Sequence, residues 1–252
     1  MGRNVNIPNF PERIISLVPS QTELLFDLGL GSRVIGITKF CIHPESWHRS
    51  KTKIGGTKQL NFAKINELNP DLIICNKEEN NESQVKNLMK KYPVWISDIS
   101  NLEESCSMIN SIGEITNSAT KSAVIVSKVR QEFSKLTPLN SSKNVLYLIW
   151  KNPYIAAGKN TFINNMILAC GLINCVLNTR YPQLTNKEIK QLNPEIIFLS
   201  SEPYPFKEKH IYELQELLPN TLIILVNGEL FSWYGSRLLR APAYFLKLLS
   251  KI

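Results

Sequence analysis

Short apolar runs rich in β-branched residues alternate along the chain with segments whose apolar positions recur every three or four residues. The first pattern is typical of buried strands and the second of amphipathic helices. The predicted strands occupy residues 13–20, 33–40, 71–76, 94–99, 144–150, 195–201 and 222–228. Strands that alternate with helices in this way predict an α/β fold with parallel sheets and crossover helices.

The first predicted helix follows the strand at 13–20 directly and stops at Gly29. Ser20 and Glu23 have the spacing of a capping box, in which each side chain satisfies an unpaired backbone N–H at the helix start. We therefore predict that Ser20 caps this helix, which has the sequence QTELLFDLG (21–29).

One segment of the chain occurs twice. The sequences AKINELNPDLIIC (63–75) and KEIKQLNPEIIFL (187–199) share an Ile, the run Leu-Asn-Pro, an acidic residue and a β-branched strand start at matching offsets. In both, a helix ends at Asn-Pro, because the residue before Pro is driven out of the helical region. The repeat predicts two Rossmann-like lobes of similar build.

A long segment between the two lobes has a helical period. Its apolar residues follow steps of three and four apart from a gap at Ser122, and no proline falls between Pro93 and Pro138. A helix of about 34 residues is some 50 Å long, which is too long for one compact lobe. We predict an N-terminal lobe (1–102), a single rigid backbone helix (103–138, helical to 136) and a C-terminal lobe (139–252).

The chain has 252 residues, of which 43% are hydrophobic, and this content predicts a folded protein with a buried core. No run approaches the ~18 apolar residues of a transmembrane helix. The N-terminus shows no apolar stretch before a small-residue cleavage site, which predicts a cytoplasmic protein. A periplasmic or cell-surface location is the alternative if a signal peptide has been removed.

Charge and cysteine content narrow the possible partners. The 29 Lys and Arg against 21 Asp and Glu give a net charge of +8, but the excess is scattered and forms no basic stripe. This distribution predicts a solvated surface and no nucleic-acid partner. The five cysteines include no pair at metal-site or redox spacing, which predicts free buried thiols.

Candidate functional residues lie in the loops after the predicted strands. Open α/β sheets bind ligands outside the carboxyl ends of their strands. The predicted ligand-binding residues in these loops are Pro19, Ser20, His43, Trp150, Tyr154, Tyr181, Trp233, Tyr234 and Arg237. Packing at a strand end is the alternative for any single aromatic residue, and we expect it for Phe231. We also expect a turn at Gly235.

Catalytic and metal chemistry receive little support. The chain has no G-x-S-x-G elbow, P-loop, G-x-G-x-x-G fingerprint or H-E-x-x-H motif, so we predict no catalytic residues. His43, His48 and His210 could gather around zinc or manganese with a carboxylate. His48 and His210 stand in charged contexts that indicate solvation, so we predict no metal site.

With these loops and the repeat, the chain resembles the substrate-binding proteins of ABC importers for cobalamin, haem and iron-siderophores. In that family two lobes are joined by one rigid backbone helix, and the similarity is greatest to the cobalamin-binding branch. The resemblance covers nearly the whole chain. Its most specific parts are RIISLVPSQTE (13–23) and WYGSRL (233–238).

The resemblance implies a non-enzymatic protein without an intrinsic cofactor. It implies that a corrinoid, another tetrapyrrole or an iron chelate is clasped in a cleft between the lobes. His43 stands at the place of a pocket tyrosine and Tyr181 at that of a stacking tryptophan. Trp233, Tyr234 and Arg237 fall in a pocket-lining C-terminal loop, where Arg237 would donate to ligand carbonyl groups.

The chain departs from the family pattern in two respects. Transport-competent members carry a glutamate on each lobe for docking to the permease, and Ala63 and Lys187 stand at those places here. This change removes charge complementarity, so we predict that docking to an ABC importer permease is doubtful. We predict separately that the protein is a monomer. Thr57 and Asn76 stand where further pocket tryptophans occur. The alternative function is a cytosolic cofactor-handling protein or an enzyme that uses the same cleft.

Overall fold

The computed structural model describes residues 5–7, 10–139 and 143–252. These residues divide into two compact units. Unit 1 consists of the described residues up to Ile99, together with Glu103–Arg130 and Tyr234–Leu239. Unit 2 consists of the described residues in Ser100–Leu102, Gln131–Trp233 and Arg240–Ile252. Each unit contains one sheet with parallel strands and surrounding helices, so the predicted α/β fold is confirmed.

Unit 1 contains a five-stranded parallel sheet with the strand order β3-β2-β1-β4-β5. Its strands are β1 (Ile14–Ser16), β2 (Val34–Ile37), β3 (Thr52–Lys53), β4 (Leu72–Asn76) and β5 (Val94–Ser97). Its crossover helices are α1 (Pro19–Asp27), α2 (Glu45–Ser50), α3 (Phe62–Leu68) and α4 (Glu82–Leu88). Ile15, Ile73 and Val94 are fully buried in the core, as expected for a sheet covered on its faces.

Unit 2 contains a mixed sheet with the order β11-β10-β6-β7-β9, in which β8 also pairs with β6. Its strands are β6 (Asn144–Trp150), β7 (Tyr154–Ala156), β8 (Ile173–Asn174), β9 (Gln183–Leu184), β10 (Ile196–Ser200) and β11 (Leu222–Val226). The central pairs are parallel, whereas β7 runs antiparallel to β6 and β9. The turn from β6 to β7 is too short for a parallel crossover, which explains the antiparallel pairing.

Five helices of unit 2 accompany this sheet. They are α7 (Phe162–Ala169), α8 (Asn186–Leu192), α9 (Glu208–Leu217), α10 (Gly228–Ser232) and α11 (Ala241–Leu249). A 3₁₀ helix, Ser236–Leu239, lies between α10 and α11 in the chain but belongs to unit 1. Within the described ranges, no helix has both the length and the apolar character needed to cross a membrane.

The internal repeat has the same structure in both units. Helix α3 ends at Asn69 and helix α8 ends at Asn193, and both asparagines have left-handed backbones, with φ of 40° and 42°. Proline follows each asparagine, and all five residues of the next strand, β4 or β10, are buried. Asparagine tolerates this conformation because its short polar side chain bonds locally.

The predicted continuous helix over 103–136 is wrong. The structure has two helices, α5 (Leu102–Ile115) and α6 (Ala119–Ser134). The chain breaks at Asn117, which has a left-handed φ of 54°, and the amide of Ser118 donates to the Gly113 carbonyl at 2.7 Å. A Cβ atom on Gly113 would lie 2.1 Å from Ser122 Oγ, so glycine permits the close approach of the two helices.

Candidate functional site

The first candidate region is the carboxyl edge of unit 1, which we define as the ends of β1, β2, β4 and β5 with the residues that follow them. Pro19 and Ser20 form the first turn of α1 immediately after β1. The predicted capping box is wrong, because Val18 is the N-cap and provides no side-chain hydrogen bond. Ser20 is buried inside the helix, and its Oγ contacts no hydrogen-bond partner among the described residues.

Glu23 forms a buried ion pair with Arg237 of the 3₁₀ helix instead of capping α1. Arg237 Nε donates to Glu23 Oε2 at 2.7 Å, and Nη2 donates to Oε1 at 2.8 Å. Both residues are 7% exposed. A two-pronged guanidinium–carboxylate pair is strong and directional. Two donor groups of Arg237 are therefore used inside unit 1, and its contact with a ligand stays a prediction.

Tyr234 and Gly235 bring the C-terminal segment to the same edge. The Tyr234 hydroxyl donates to Glu79 Oε1, in the loop after β4, at 3.1 Å. Gly235 has a φ of 119°, and a Cβ there would lie 3.3 Å from the Ser20 carbonyl oxygen. Glycine adopts this backbone without strain, so the turn that we expected at Gly235 is confirmed.

The loop after β2 carries half-buried His43 and two apolar residues that sequence reasoning missed. Phe40 is 51% exposed and Ile42 is 45% exposed, and Lys39 Nζ lies 5.1 Å from the centre of the Phe40 ring. Phe40 was predicted to lie in a strand over 33–40, but β2 ends at Ile37. Exposed apolar side chains at a strand end are a usual feature of ligand sites.

A buried polar network joins α1 to the ends of β4 and β5. Gln21 Nε2 donates to Ser97 Oγ at 2.6 Å, and Asn76 Nδ2 donates to both the Ser97 carbonyl and its Oγ at 3.1 Å. All three residues are at most 4% exposed. Gln21 and Ser97 were not predicted, although Gln21 lies within the segment RIISLVPSQTE. Their only sequence signal is their position after or at the end of a predicted strand.

The second candidate region is the carboxyl edge of unit 2, formed by the ends of β6, β10 and β11 with the residues that follow them. Trp150, the last residue of β6, is 39% exposed and contacts the ring of Tyr204 edge-on, with ring centres 5.6 Å apart. Tyr154 of β7 is half-buried, and burial raises the pKa of its hydroxyl. Tyr181, in the segment before β9, is also half-buried. Tyr204 was not predicted.

His210 contacts the ring of Tyr204 edge-on, with ring centres 5.5 Å apart. Its Nδ1 accepts the backbone N–H of Lys207 at 2.8 Å, and its Nε2 lies 3.2 Å from the Tyr204 hydroxyl. His210 is 2% exposed, so our expectation that it is solvated is wrong. Burial lowers its pKa, and the charges of Lys151 and Lys209 add to this effect against Glu213. A neutral imidazole with Nδ1 unprotonated fits this arrangement.

Glu202, which follows β10, accepts two side-chain hydrogen bonds at the unit 2 edge. Its Oε1 accepts hydrogen bonds from Trp233 Nε1 at 2.7 Å and from the Ser232 hydroxyl at 2.8 Å. Trp233 is 7% exposed. The preceding Phe231 is fully buried and packs against the ring of Phe245, with centres 4.7 Å apart, which confirms its expected core position.

The structure thus gathers the predicted residues in two groups. Unit 1 contains Pro19, Ser20, His43, Tyr234 and Arg237, and unit 2 contains Trp150, Tyr154, Tyr181 and Trp233. The ligand-binding role of each residue stays a prediction. The described parts of the chain contain no set of three or more His, Cys, Asp or Glu side chains placed to hold a metal ion.

None of the five cysteines forms a disulfide. Cys41, Cys75, Cys106 and Cys170 are buried as predicted, whereas Cys175 is half-buried. Burial raises the pKa of Cys170 to about 12 and that of Cys175 to about 11. These two thiols are therefore protonated at neutral pH, and a nucleophilic role requires the thiolate.

Known proteins share both the sequence pattern and the fold. A family model for periplasmic binding proteins matches residues 14–220. An uncharacterised ABC transporter substrate-binding lipoprotein of Bacillus subtilis is 28% identical over 210 residues, which are 78% of this chain and 66% of that protein. The vitamin B12-binding protein of Yersinia pestis is 22% identical over 247 residues, covering 96% of this chain and 87% of that protein.

Solved structures of two periplasmic proteins have the same fold. The vitamin B12-binding protein of Vibrio cholerae has a TM-score of 0.74 and 20% identity, covering 96% of this chain and 99% of that chain. The haem-binding protein of Roseiflexus has a TM-score of 0.80 and 20% identity, covering 95% of this chain and 97% of that chain.

The prediction of a cytoplasmic location is wrong. The matching family consists of periplasmic binding proteins, and the similar proteins include a lipoprotein and periplasmic proteins. These findings indicate an extracytoplasmic location. The prediction relied on the composition of the N-terminal residues alone, whereas the similarity to exported proteins extends over most of the chain.

Proposed function

Because the chain belongs to the periplasmic binding protein family, we propose that it is a non-enzymatic binding protein for a corrinoid, or for another tetrapyrrole or iron chelate, that serves an ABC importer. The family membership confirms the predicted resemblance to substrate-binding proteins. The ligand and the importer are the parts that we propose.

The observation that carries the proposal is the exposure of aromatic and apolar side chains at the carboxyl edges of both sheets. Trp150 is 39% exposed beside Tyr204, and Phe40 and Ile42 are 51% and 45% exposed after β2. Ligands of parallel sheets bind at this edge. Large rings at such positions favour a broad, flat and partly apolar ligand, which they cover through apolar contact.

The ligand class is supported by the proteins that are similar to this chain. One is described as a vitamin B12-binding protein over almost the full chain, and two structures with the same fold are described as vitamin B12-binding and haem-binding. Corrinoids and haem are both flat macrocycles, so both fit the exposed rings.

A binding role without catalysis is supported by the hydrogen bonds that the carboxylates at the two edges already form with neighbouring side chains. Glu23 bonds Arg237, Glu79 accepts from Tyr234, and Glu202 accepts from Ser232 and Trp233. A general acid or base must reach the proton that it transfers. Carboxylates already held by neighbouring side chains favour a positioning role over proton transfer.

Titration with a ligand panel tests the proposal. We expect cobalamin, cobinamide or haem to quench the intrinsic tryptophan fluorescence and to bind with a Kd that calorimetry can measure. Trp150→Ala removes the exposed ring and is expected to weaken binding by about tenfold, the effect of losing one aromatic contact. Tyr212→Ala, which removes a 69% exposed ring from α9, is the control and is expected to leave Kd unchanged. Absence of binding across these macrocycles and iron-siderophores would contradict the proposal.

The proposed partner is the membrane component of an ABC importer, with the binding protein acting as a monomer. Ala63 and Lys187 are exposed at the second positions of α3 and α8, in equivalent places of the repeat. Any docking through these helices therefore proceeds without the two expected carboxylates. Light scattering after size exclusion is expected to give a mass near 28.7 kDa, and a stable dimer would contradict the monomer.

A further inference from the structure

Tyr204, in the segment after β10, contacts one exposed and one buried neighbour at the unit 2 edge. Its ring meets Trp150 edge-on with centres 5.6 Å apart, and Trp150 is 39% exposed. Its hydroxyl oxygen lies 3.2 Å from Nε2 of His210, which is 2% exposed. Tyr204 itself is half-buried, so a ligand at this edge can reach it, in contrast to the histidine.

The direction of the hydrogen bond between these two side chains follows from a third group. The backbone N–H of Lys207 can only donate, and His210 Nδ1 accepts it at 2.8 Å, so Nδ1 carries no proton. A neutral imidazole then holds its single proton on the other ring nitrogen. Nε2–H therefore donates, and the Tyr204 oxygen accepts. Burial and the charge of Lys151 lower the pKa of His210, which keeps the ring neutral at neutral pH.

The hydroxyl proton of Tyr204 is left for another acceptor. Because the oxygen accepts from His210, its own O–H bond is directed away from the imidazole ring. Within the described ranges, no backbone or side-chain group accepts this proton. A polar proton at a partly buried position is normally satisfied by water or by a ligand. Tyr204 therefore offers a donor of fixed direction at the edge that contains Trp150.

We infer that Tyr204 donates a hydrogen bond to an oxygen atom of the bound ligand, and that His210 is the positioning residue that fixes the direction of this bond. The inference rests on the proposed function, because a flat ring that covers Trp150 brings its peripheral groups beside Tyr204. The peripheral group is an acceptor, such as an amide carbonyl or a carboxylate oxygen. An N–H or O–H group of the ligand would face the hydroxyl proton and is disfavoured at this place.

Removal of the hydroxyl tests the donor. The probe is whichever of cobalamin, dicyanocobinamide, haem and ferrichrome the wild-type protein binds most tightly, with Kd measured by calorimetry. Tyr204→Phe keeps the ring beside Trp150 and is expected to raise Kd by about five- to tenfold, the effect of one lost hydrogen bond. Tyr212→Phe removes the hydroxyl of a 69% exposed ring on α9 and is the matched control, with Kd unchanged. Equal Kd values for the two variants would overturn the inference.

A double-variant cycle tests the role of His210. His210→Asn keeps an acceptor for the Lys207 N–H but lacks the Nε2 donor, so the Tyr204 hydroxyl loses its fixed direction. We expect His210→Asn alone to raise Kd severalfold, and to have no further effect when it is added to Tyr204→Phe. A merely structural role of His210 would raise Kd equally in both backgrounds.

The outcomes separate the inference from the proposed function. If the wild-type protein binds a probe and Tyr204→Phe behaves like Tyr212→Phe, the inference is wrong and the binding function stands. If His210→Asn raises Kd equally in both backgrounds, the positioning role of His210 is wrong. If the wild-type protein binds none of the four probes, the inference and the proposed function are both wrong. A loss in Tyr204→Phe that His210→Asn does not increase supports both.

Discussion

The carboxyl edges of the two sheets differ in chemistry although the repeat beneath them has the same build. In unit 1, β4 ends at Asn76 in a buried network of two amides and a hydroxyl, and the same unit contains the buried Glu23–Arg237 ion pair. In unit 2, the equivalent β10 ends at Ser200, and exposed Trp150 contacts half-buried Tyr204 at the same edge. The repeated helix–Asn-Pro–strand segment therefore supplies the frame, while the residues around it add a buried ion pair and an amide network in unit 1 and the contacting rings of Trp150, Tyr204 and His210 in unit 2.

The largest expected effect comes from breaking the polar edge of unit 1. Arg237→Met leaves the buried Glu23 carboxylate without its partner, and we expect the free energy of unfolding to fall by about 3–5 kcal/mol. Guanidinium unfolding followed by circular dichroism measures this change. Glu23→Leu combined with Arg237→Met removes both charges and is expected to restore most of the stability.

A matched control separates this buried pair from ordinary surface charge. Lys86→Ala removes a partner of Glu82 in a pair whose side chains are 68% and 81% exposed. We expect no measurable shift of the unfolding midpoint, because exposed pairs are screened by water. A loss from Arg237→Met as small as that from Lys86→Ala would mean that the ion pair does not hold the C-terminal segment on unit 1.

An intermediate effect is expected at the aromatic edge of unit 2, through His210. Because burial and nearby lysines lower its folded pKa, His210 stays neutral in the folded protein while it protonates near pH 6.5 when unfolded. Stability is therefore full above this value and falls as pH decreases below it, by up to about 1.4 kcal/mol per pH unit until the folded pKa is reached.

Urea unfolding between pH 7.5 and 5 measures this slope. His210→Asn keeps an acceptor for the Lys207 N–H but does not titrate, so its slope is expected to be smaller than that of the wild type. Identical slopes in the two proteins would show that other groups control the pH dependence.

The smallest effect is expected in the repeat itself, where the two helices are capped by different residues. Asn61 accepts the N–H of Lys64 at the start of α3, and Thr185 accepts that of Glu188 at the start of α8. Asn61→Ala and Thr185→Ala are each expected to cost about 1 kcal/mol. The exchanges Asn61→Thr and Thr185→Asn are expected to cost much less in thermal or urea unfolding. A large loss from either exchange would show that the two caps are not equivalent.

Much of the frame could be predicted from local patterns. All seven predicted strands are present, because runs such as 71–76 and 222–228 are long and apolar enough to show their period. The four strands that were missed, β3, β7, β8 and β9, have only two or three residues. Such short strands exist because neighbouring strands supply their hydrogen bonds, and no local pattern reveals them.

The sequence predicted where the candidate site residues lie relative to the strand ends, but it did not predict which side chains they contact. The loops after strands correctly placed Trp150, Tyr154, Tyr234 and Pro19 at the two carboxyl edges. Phe40 was missed because the apolar run at 33–40 continues past the true end of β2. The predicted continuous helix failed at Asn117, where a left-handed residue and the contact of Gly113 with Ser122 outweigh the apolar period.

The alternation of strands and helices, the internal repeat and the family resemblance could be recognised from the amino-acid sequence alone. These depend on residues close together in the chain, whose periods and Asn-Pro signals act locally. The ion pair of Glu23 with Arg237 joins residues 214 positions apart, so no local pattern could show it and it became visible only in the folded chain. The spacing of Ser20 and Glu23 favoured a local cap, but a buried guanidinium offers the carboxylate two charged hydrogen bonds in place of one backbone N–H.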